Sequence, residues 1–452
     1  MQTTKPTDML SLTRPNLRGR FSALAMATIA TALTLSDAVV VSASAQAPAP
    51  EAAARVKIPA HIEPLLNPRQ KDAYLNYLRF RAVHDQRVTV YWTRVEELRD
   101  RRRAKHRAKQ PMTAEDYVGV HPPVYQGPQL APDIRKIIEL ARARNPEPPK
   151  PPMANVADFL ANAKQHYNFV PTRIPELEFK RRYAAESLAL GLSKEQVTRV
   201  YALETGGQGT ADMQSGINPI TRTGTPISSA LGYAQLLNAN STSELVKHGD
   251  AFIQRLLNMA QQPGTPPRRV EELQHKANVL RAMLVQARSV PNEWSAHVRF
   301  AATGPGLGIH AINMDGDIGP WLQVNKLRGV LASAQADGRQ TLTGAELELM
   351  NLAGPRTGLE MMTPLGRLAP TANFFSQGGY QRNPIVHNRT GAELLAQLDV
   401  RMDVHIKKPG AIEFIAVFDS LLSGQPLPGT QPRADRPVVD APAAAPLFQT
   451  MQ

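Results

Sequence analysis

From residue 155 onward the apolar residues recur at three- and four-residue spacings, with no long strict alternation. In "VEELQHKANVLRAMLVQAR" Val270, Leu273, Ala277, Leu280, Leu284 and Ala287 share one side of a 3.6-residue spiral. A half-buried strand needs period two instead. The chain is therefore confined to helix packing on helix, and strands should be few and short. Two capping signals mark helix starts. Ser193 with Gln196 opens "KEQVTRVYALE", and Ser241 with Glu244 is read as opening "LVKHGDAFIQRLLNMA". Closer to the N-terminus, Tyr74, Tyr77, Leu78, Val83, Val88, Tyr91, Val95 and Leu98 also keep helical spacing. The expected fold class is mainly α.

Composition narrows the chemistry. The chain has 452 residues and no cysteine, which excludes disulfides, thiolate metal sites and a cysteine nucleophile. Its formal net charge of +13 favours anionic surfaces. The N-terminus reads as an export signal. Arg14, Arg18 and Arg20 lead into the apolar run "FSALAMATIATALTL", which is shorter than the ~18 residues a membrane span requires. Ala43-Ser44-Ala45 fits a small-x-small cleavage site. Export points to the periplasm, where peptidoglycan carboxylates and phospholipid head groups are the anionic partners, and argues against nucleic acid.

Proline-rich stretches set the expected boundaries: signal 1–45, flexible lead 46–66, basic helical region 67–153 ending in "RNPEPPKPPM", main helical domain 154–423, and a disordered tail 424–452. The helical region ends in Arg99, Arg101, Arg102, Arg103, Lys105, Arg107 and Lys109. This run reads either as a solvated helix face or as an electrostatic foot on envelope polymer, through which envelope assembly partners would be engaged.

The stretch "ALETGG" (202–207) places Glu204 just before a Gly pair that ends a helical run. A helix C-terminus carries partial negative charge and disfavours a carboxylate by roughly 0.3–1 kcal/mol when exposed, up to ~2 when partly buried. That cost raises a carboxyl pKa by up to about one unit, and desolvation against apolar walls would supply more. A general acid working near neutrality needs such a shift. Downstream, "SSALGYAQLLN" (228–238) sets small residues Ser229, Ala230 and Gly232 beside Gln235, a polar group in an apolar turn that must find partners.

A Glu followed by a small hydroxyl residue, then a Gly-x-x-Gln turn, resembles the soluble lytic transglycosylases and their goose-type lysozyme relatives. Thr205 stands where that family has Ser. Gly232-Tyr233-Ala234-Gln235 stands for its Gly-Leu-Met-Gln turn, after a longer intervening loop, "GQGTADMQSGINPITRTGTP". The third motif, Ala-Tyr-Asn-Ala-Gly-Pro, is matched by "MNLAGP" (350–355), with Asn351 kept, the Tyr absent and one residue inserted. Tyr380 in "NFFSQGGYQRNP" is the candidate for the late cleft Tyr. The resemblance implies a lysozyme-like helical catalytic domain behind an N-terminal helical accessory region. It also implies cleavage of the N-acetylmuramic acid–N-acetylglucosamine bond of peptidoglycan strands to 1,6-anhydro products. Glu204 would be acid and base. Thr205, Gly232, Tyr233, Gln235, Asn351 and Tyr380 would bind substrate, with no cofactor and no metal.

Two alternatives stay open: a hydrolytic lysozyme on the same scaffold, with Asp212 as a second carboxylate, and a non-catalytic peptidoglycan-binding scaffold protein. Other signals are weaker. "NMDGDIG" (313–319) lacks the glycine position and twelfth-position Glu of a calcium loop and reads as a turn. "GPGLG" (304–308) follows no strand, which argues against a nucleotide loop. The eleven His show no paired metal spacing; His310, His387 and His405 read as satisfied or exposed.

Overall fold

Side-chain caps explain where the helices of this chain begin. A computed structural model describes residues 56–144, 146, 152–425 and 427. The expected signal, most of the Pro-rich linker and nearly all of the tail lie outside the described residues. Asn67 accepts from the Gln70 amide at 2.9 Å and so opens α1 (Pro68–Arg107). Then come α2 (Pro132–Arg144), α3 (Val156–Tyr167, capped by Asn155), α4 (Glu176–Ala189) and α5 (Lys194–Thr205). The predicted Ser193–Gln196 box opens α5 reciprocally, at 3.1 and 3.0 Å. The remaining helices are α6 (Asn238–Ala260), α7 (Pro267–Ala287), α8 (Trp294–Ala301), α9 (Gly304–His310), α10 (Ile318–Ala336), α11 (Gly344–Ala353), α12 (Pro355–Met361), α13 (Pro364–Leu368), α14 (Gln377–Arg382), α15 (Gly391–His405) and α16 (Pro409–Ser423).

The mainly α class holds, and among the described residues only isolated β-bridges occur, at Gln214–Leu231, Ile217–Gly224, Leu231–Leu236 and Pro370–Thr390. One predicted start is displaced. Ser241 and Glu244 lie inside α6, which begins at Asn238, where the Leu237 amide donates to Asn240 Oδ1 at 3.1 Å. The Ser241 hydroxyl instead meets His310 Nδ1 at 2.8 Å in the core. Of the expected flexible lead, the described residues 56–66 are packed. Ile62 and Leu66 are buried with Tyr74, Ile134, Ile138 and Ala141 in a small satellite core between α1 and α2.

α1 is not only a solvated basic face. Tyr91, Trp92 and Val95 join the main core. Trp92 packs edge-on against Tyr380, with ring centroids 5.4 Å apart. Arg102 is 2 % exposed and bonds Glu360 Oε1 at 2.6 Å, Asn373 O at 2.6 Å and Asp116 O at 2.8 Å. The basic run therefore divides into a docked side and a wet side.

The centre of the molecule is aromatic. Tyr233 is fully buried among Tyr201 of α5, Tyr183 and Phe179 of α4, and Phe414 of α16, with centroids 4.8–5.5 Å apart. Each such ring contributes a large buried apolar area, with edge-to-face geometry worth about 0.5–1.5 kcal/mol per pair beyond it. "GPGLG" forms α9. Its Gly308 lets α9 lie against α3 so closely that a Cβ would stand 3.0 Å from the Asn162 and Ala163 backbone.

The "NMDGDIG" stretch forms no cation loop, because a protein cation fills its centre. Lys276 of α7, 2 % exposed, lies 3.0 Å from Asp315 Oδ2 and 2.6 Å from Asp317 Oδ2. Arg182 and Arg269 close on Asp317 Oδ1 at 2.7 and 2.6 Å. Asp315 Oδ1 accepts the amides of Asp317 and Ile318 at 2.9 and 3.2 Å, starting α10. Among the described residues no group of three or more His, Cys, Asp or Glu could hold a metal ion. Removing one partner of a buried ion pair strands the others, typically at 3–5 kcal/mol. Lys276→Met is expected to destabilise the fold by about that amount, read as a lowered urea midpoint at unchanged slope; a change below ~1 kcal/mol would contradict the assignment.

Candidate functional site

α5 carries Glu204 in its last turn and stops because Gly206 turns left-handed at φ 62°, followed by Gly207 at φ 71°. Both conformations suit glycine. Gly207 is pinned from outside. The Ala411 amide donates to its carbonyl at 2.9 Å, and a Cβ there would stand 2.2 Å from His405 O. The helix end is therefore fixed by the α15–α16 corner. Glu204 is half-buried at the negative end of α5, the position the sequence suggested.

Its partner is a second carboxyl. Glu348 of α11 is 2 % exposed and hydrogen-bonds Glu204 side chain to side chain. α5 and α11 pack together, and their first turns are tied by the Gly344 amide on Glu195 Oε1 at 3.0 Å and by Gln196 Nε2 on Leu342 O at 2.7 Å. Asn351 Nδ2 donates to Glu348 Oε2 at 3.3 Å, and Lys326 Nζ of α10 donates to Asn351 Oδ1 at 3.3 Å.

Burial pushes the Glu204 carboxyl up to about 7, against the opposite pull of the Glu348 hydrogen bond and the Lys326 ammonium. Glu348 is driven higher, first by burial, then by the charge of Glu204 and the hydrogen bond to it. Burial also lowers Lys326, opposed by the Glu244, Glu348 and Glu204 carboxylates. Two carboxyls in contact cannot readily both ionise, so the pair retains a proton near neutrality.

Lys326 and Asn351 line a cavity of about 560 Å3, together with Leu237 and Asn240 at the start of α6, Trp294 of α8, and residues 352–355. Glu204 and Glu348 are not on this wall; Glu348 is joined to it through the Asn351 hydrogen bond. The third motif thus forms one side of the cavity, and the residues following the Gly-x-x-Gln turn form another. Among the described residues no helix is long and apolar enough to cross a membrane.

The other predicted site residues are placed as follows. The Thr205 hydroxyl donates to Tyr201 O in its own helix at 2.6 Å, so it does not orient Glu204 through a hydrogen bond. Tyr233 is core, and its hydroxyl donates to Glu176 Oε1. Gly232, at φ 79°, faces Gln323, whose amide would stand 2.5 Å from an added Cβ. Gln235 donates to Gly232 O at 2.8 Å and Met213 O at 3.1 Å, closing the turn on itself and on the preceding loop. Asn351 bridges Glu348 and Lys326. Tyr380 is buried against Trp92 and stacked on His387, accepting from the Asn388 amide at 2.8 Å; no contact joins it to Glu204.

Asp212 is held by Arg173 at 2.5 Å, Arg222 at 2.9 Å and Thr210 at 2.7 Å. Against the cost of burial, the Thr210, Arg222 and Arg173 hydrogen bonds hold its carboxyl down to about 2. It anchors its loop. His310 bridges Ser241 and Ser229 O, and burial pushes it down to about 4.

Sequence reasoning missed Glu348. Its signal was a Glu inside the apolar run "LELM", three residues before Asn351, on a helix whose cap already uses Glu346. A charge in the buried stripe of a helix needs a partner, and the partner is non-local.

No protein-family model, curated protein or solved structure matches the chain.

The raised Glu204 carboxyl links stability to pH. The folded protein holds this proton more tightly than the unfolded chain. Its contribution is therefore complete below about 4.5 and lost as pH rises through about 7. Glu204→Gln is expected to gain stability relative to the parent by roughly 1–3 kcal/mol between pH 4.5 and 8, measured by urea unfolding at each pH. A pH-independent difference would place the carboxyl in ordinary solvent.

Proposed function

We propose that the protein is an exported peptidoglycan lytic transglycosylase, with Glu204 as its single acid and base. The observation that carries this reading is a Glu at a helix C-terminus whose carboxyl burial raises to about 7, in hydrogen-bond contact with a second carboxyl. Beside it lies a cavity walled by Asn351 to Pro355 and by the start of α6. A group with a pKa near the working pH can give a proton and take one back with little penalty in either direction.

In this reading a glycan strand enters the cavity and reaches Glu204 past the Lys326–Asn351 bridge, which stays in place. The Glu204 proton passes to the glycosidic oxygen as the C1–O bond breaks, and the substrate's N-acetyl group supports the cation. The C6 hydroxyl oxygen then bonds to C1 and returns its proton to Glu204, so no water is consumed. Trp294, 52 % exposed at the cavity edge, offers an apolar face to a sugar ring.

The hydrolytic alternative is disfavoured by geometry. Two-carboxylate glycosidases hold their groups about 5–9.5 Å apart, whereas Glu204 and Glu348 are in hydrogen-bond contact and Asp212 is locked by two arginines. One observation favours a non-catalytic glycan-binding reading: neither carboxyl lies on the cavity wall.

The test is digestion of purified sacculi with the mature protein and Glu204→Gln, with mass spectrometry of soluble fragments. The parent is expected to release muropeptides with anhydro ends, and the variant to release them at least about a hundredfold more slowly while still binding sacculi. Equal release by both proteins removes the enzymatic reading. Binding without release by either supports the glycan-binding one.

A further inference from the structure

We propose that Glu348 is a positioning residue for Glu204: a carboxyl kept neutral, which donates its hydrogen to the Glu204 carboxylate and is itself oriented by the Lys326–Asn351 bridge. The proposal rests on the acid–base reading of Glu204 given above. Two carboxyls in hydrogen-bond contact need a proton between them, and the more deeply buried Glu348 is the one assigned it. The Asn351 amide nitrogen donates to Glu348 Oε2 at 3.3 Å and so orients the Glu348 carboxyl. Asn351 is fixed in this orientation because its oxygen accepts from Lys326 Nζ at 3.3 Å. At 2 % exposure Glu348 has no water to support a charge, and burial drives its carboxyl well above the ordinary carboxylate range.

A neutral acid pointing at a catalytic carboxylate has a definite use. Desolvation alone would hold the Glu204 proton too tightly for it to act as a base in the second half of the reaction. A donated hydrogen bond stabilises the carboxylate and brings the group back toward neutrality. The other charged groups around the pair are already matched. Lys326 faces Glu244, which in turn holds Lys247 at 2.7 Å and lies 3.5 Å from His248 on α6. On α5 and α15, Arg199 is tied to Glu195, Asp399 and Asp403, and Arg339, between α10 and α11, lies 3.4 Å from Glu346 of α11. Lys326 acts on both members of the pair.

The experiment is a carbon-13 NMR titration of the glutamate side-chain carboxyls in the substrate-free protein, run on the parent and on Glu204→Gln, Glu348→Gln and Glu348→Leu, together with pH profiles of muropeptide release. In the parent the Glu348 carbon is expected to stay in its protonated position from pH 4 to 8 while the Glu204 carbon titrates. Glu348→Gln keeps a donor, so it should leave the Glu204 midpoint within about half a pH unit and release within a few-fold. Glu348→Leu removes the donor and should raise that midpoint, and the alkaline limb of the release profile, by at least one unit, a tenfold change in carboxylate fraction.

A Glu348 carbon that titrates below pH 6 in the parent overturns the proposal even if no variant folds. So does an unchanged Glu204 midpoint in Glu348→Leu, or a midpoint lowered by a unit or more in Glu348→Gln. Absence of release by every protein, with the titrations as expected, would remove the enzymatic reading and leave the carboxyl pair in place.

Discussion

The packing of Tyr201 against Tyr233 is the interaction on which the candidate site depends. Tyr201 lies one turn before Glu204 on α5, and its ring meets Tyr233 edge-on at 4.8 Å. Its hydroxyl donates to Gly209 O at 2.9 Å and so ties the helix to the loop that leaves it. Tyr233 in turn is fixed by its hydroxyl on Glu176, and burial pushes the Glu176 carboxyl up. α5 therefore cannot rotate or slide without opening the aromatic centre, and Glu204 is presented to α11 at a fixed height. Under the proposed acid–base role such a rigid element matters, since small misplacements cost large factors in rate.

The helical class, the capped start of α5, its stop at Gly206 and the position of Glu204 were all legible in the sequence, because each is set by residues within a few positions of one another. The role of Tyr233 was not. In the family-like reading it lined a sugar site, but a tyrosine in "ALGYAQLL" can face either way, and the aromatic neighbours that decide the matter come from α4, α5 and α16. Thr205 was ambiguous for a similar reason. A hydroxyl in the last turn of a helix often bonds the carbonyl four residues back, and here it does.

Ser241 and Glu244 matched a capping pattern by composition, yet α6 starts three residues earlier. The Asn240 side chain caps the Leu237 amide there, and Ser241 is needed by His310. Glu348 shows the deeper limit. Nothing local explains a glutamate among leucines; only the fold, by bringing α5 against α11, supplies its partner. The same holds for Lys276, which neutralises two buried aspartates 39 and 41 residues away.

The left-handed Gly206–Gly207 pair has a consequence for how the molecule is put together. Because the bare backbone at Gly207 receives the carbonyl of His405 and the amide of Ala411, the end of α5 is completed by chain some two hundred residues downstream. The Glu204 end of α5 is thus a seam between the middle of the chain and the helices α15 and α16. A polypeptide still emerging from synthesis would hold Glu204 on an unfinished helix end until α15 and the start of α16 had been made.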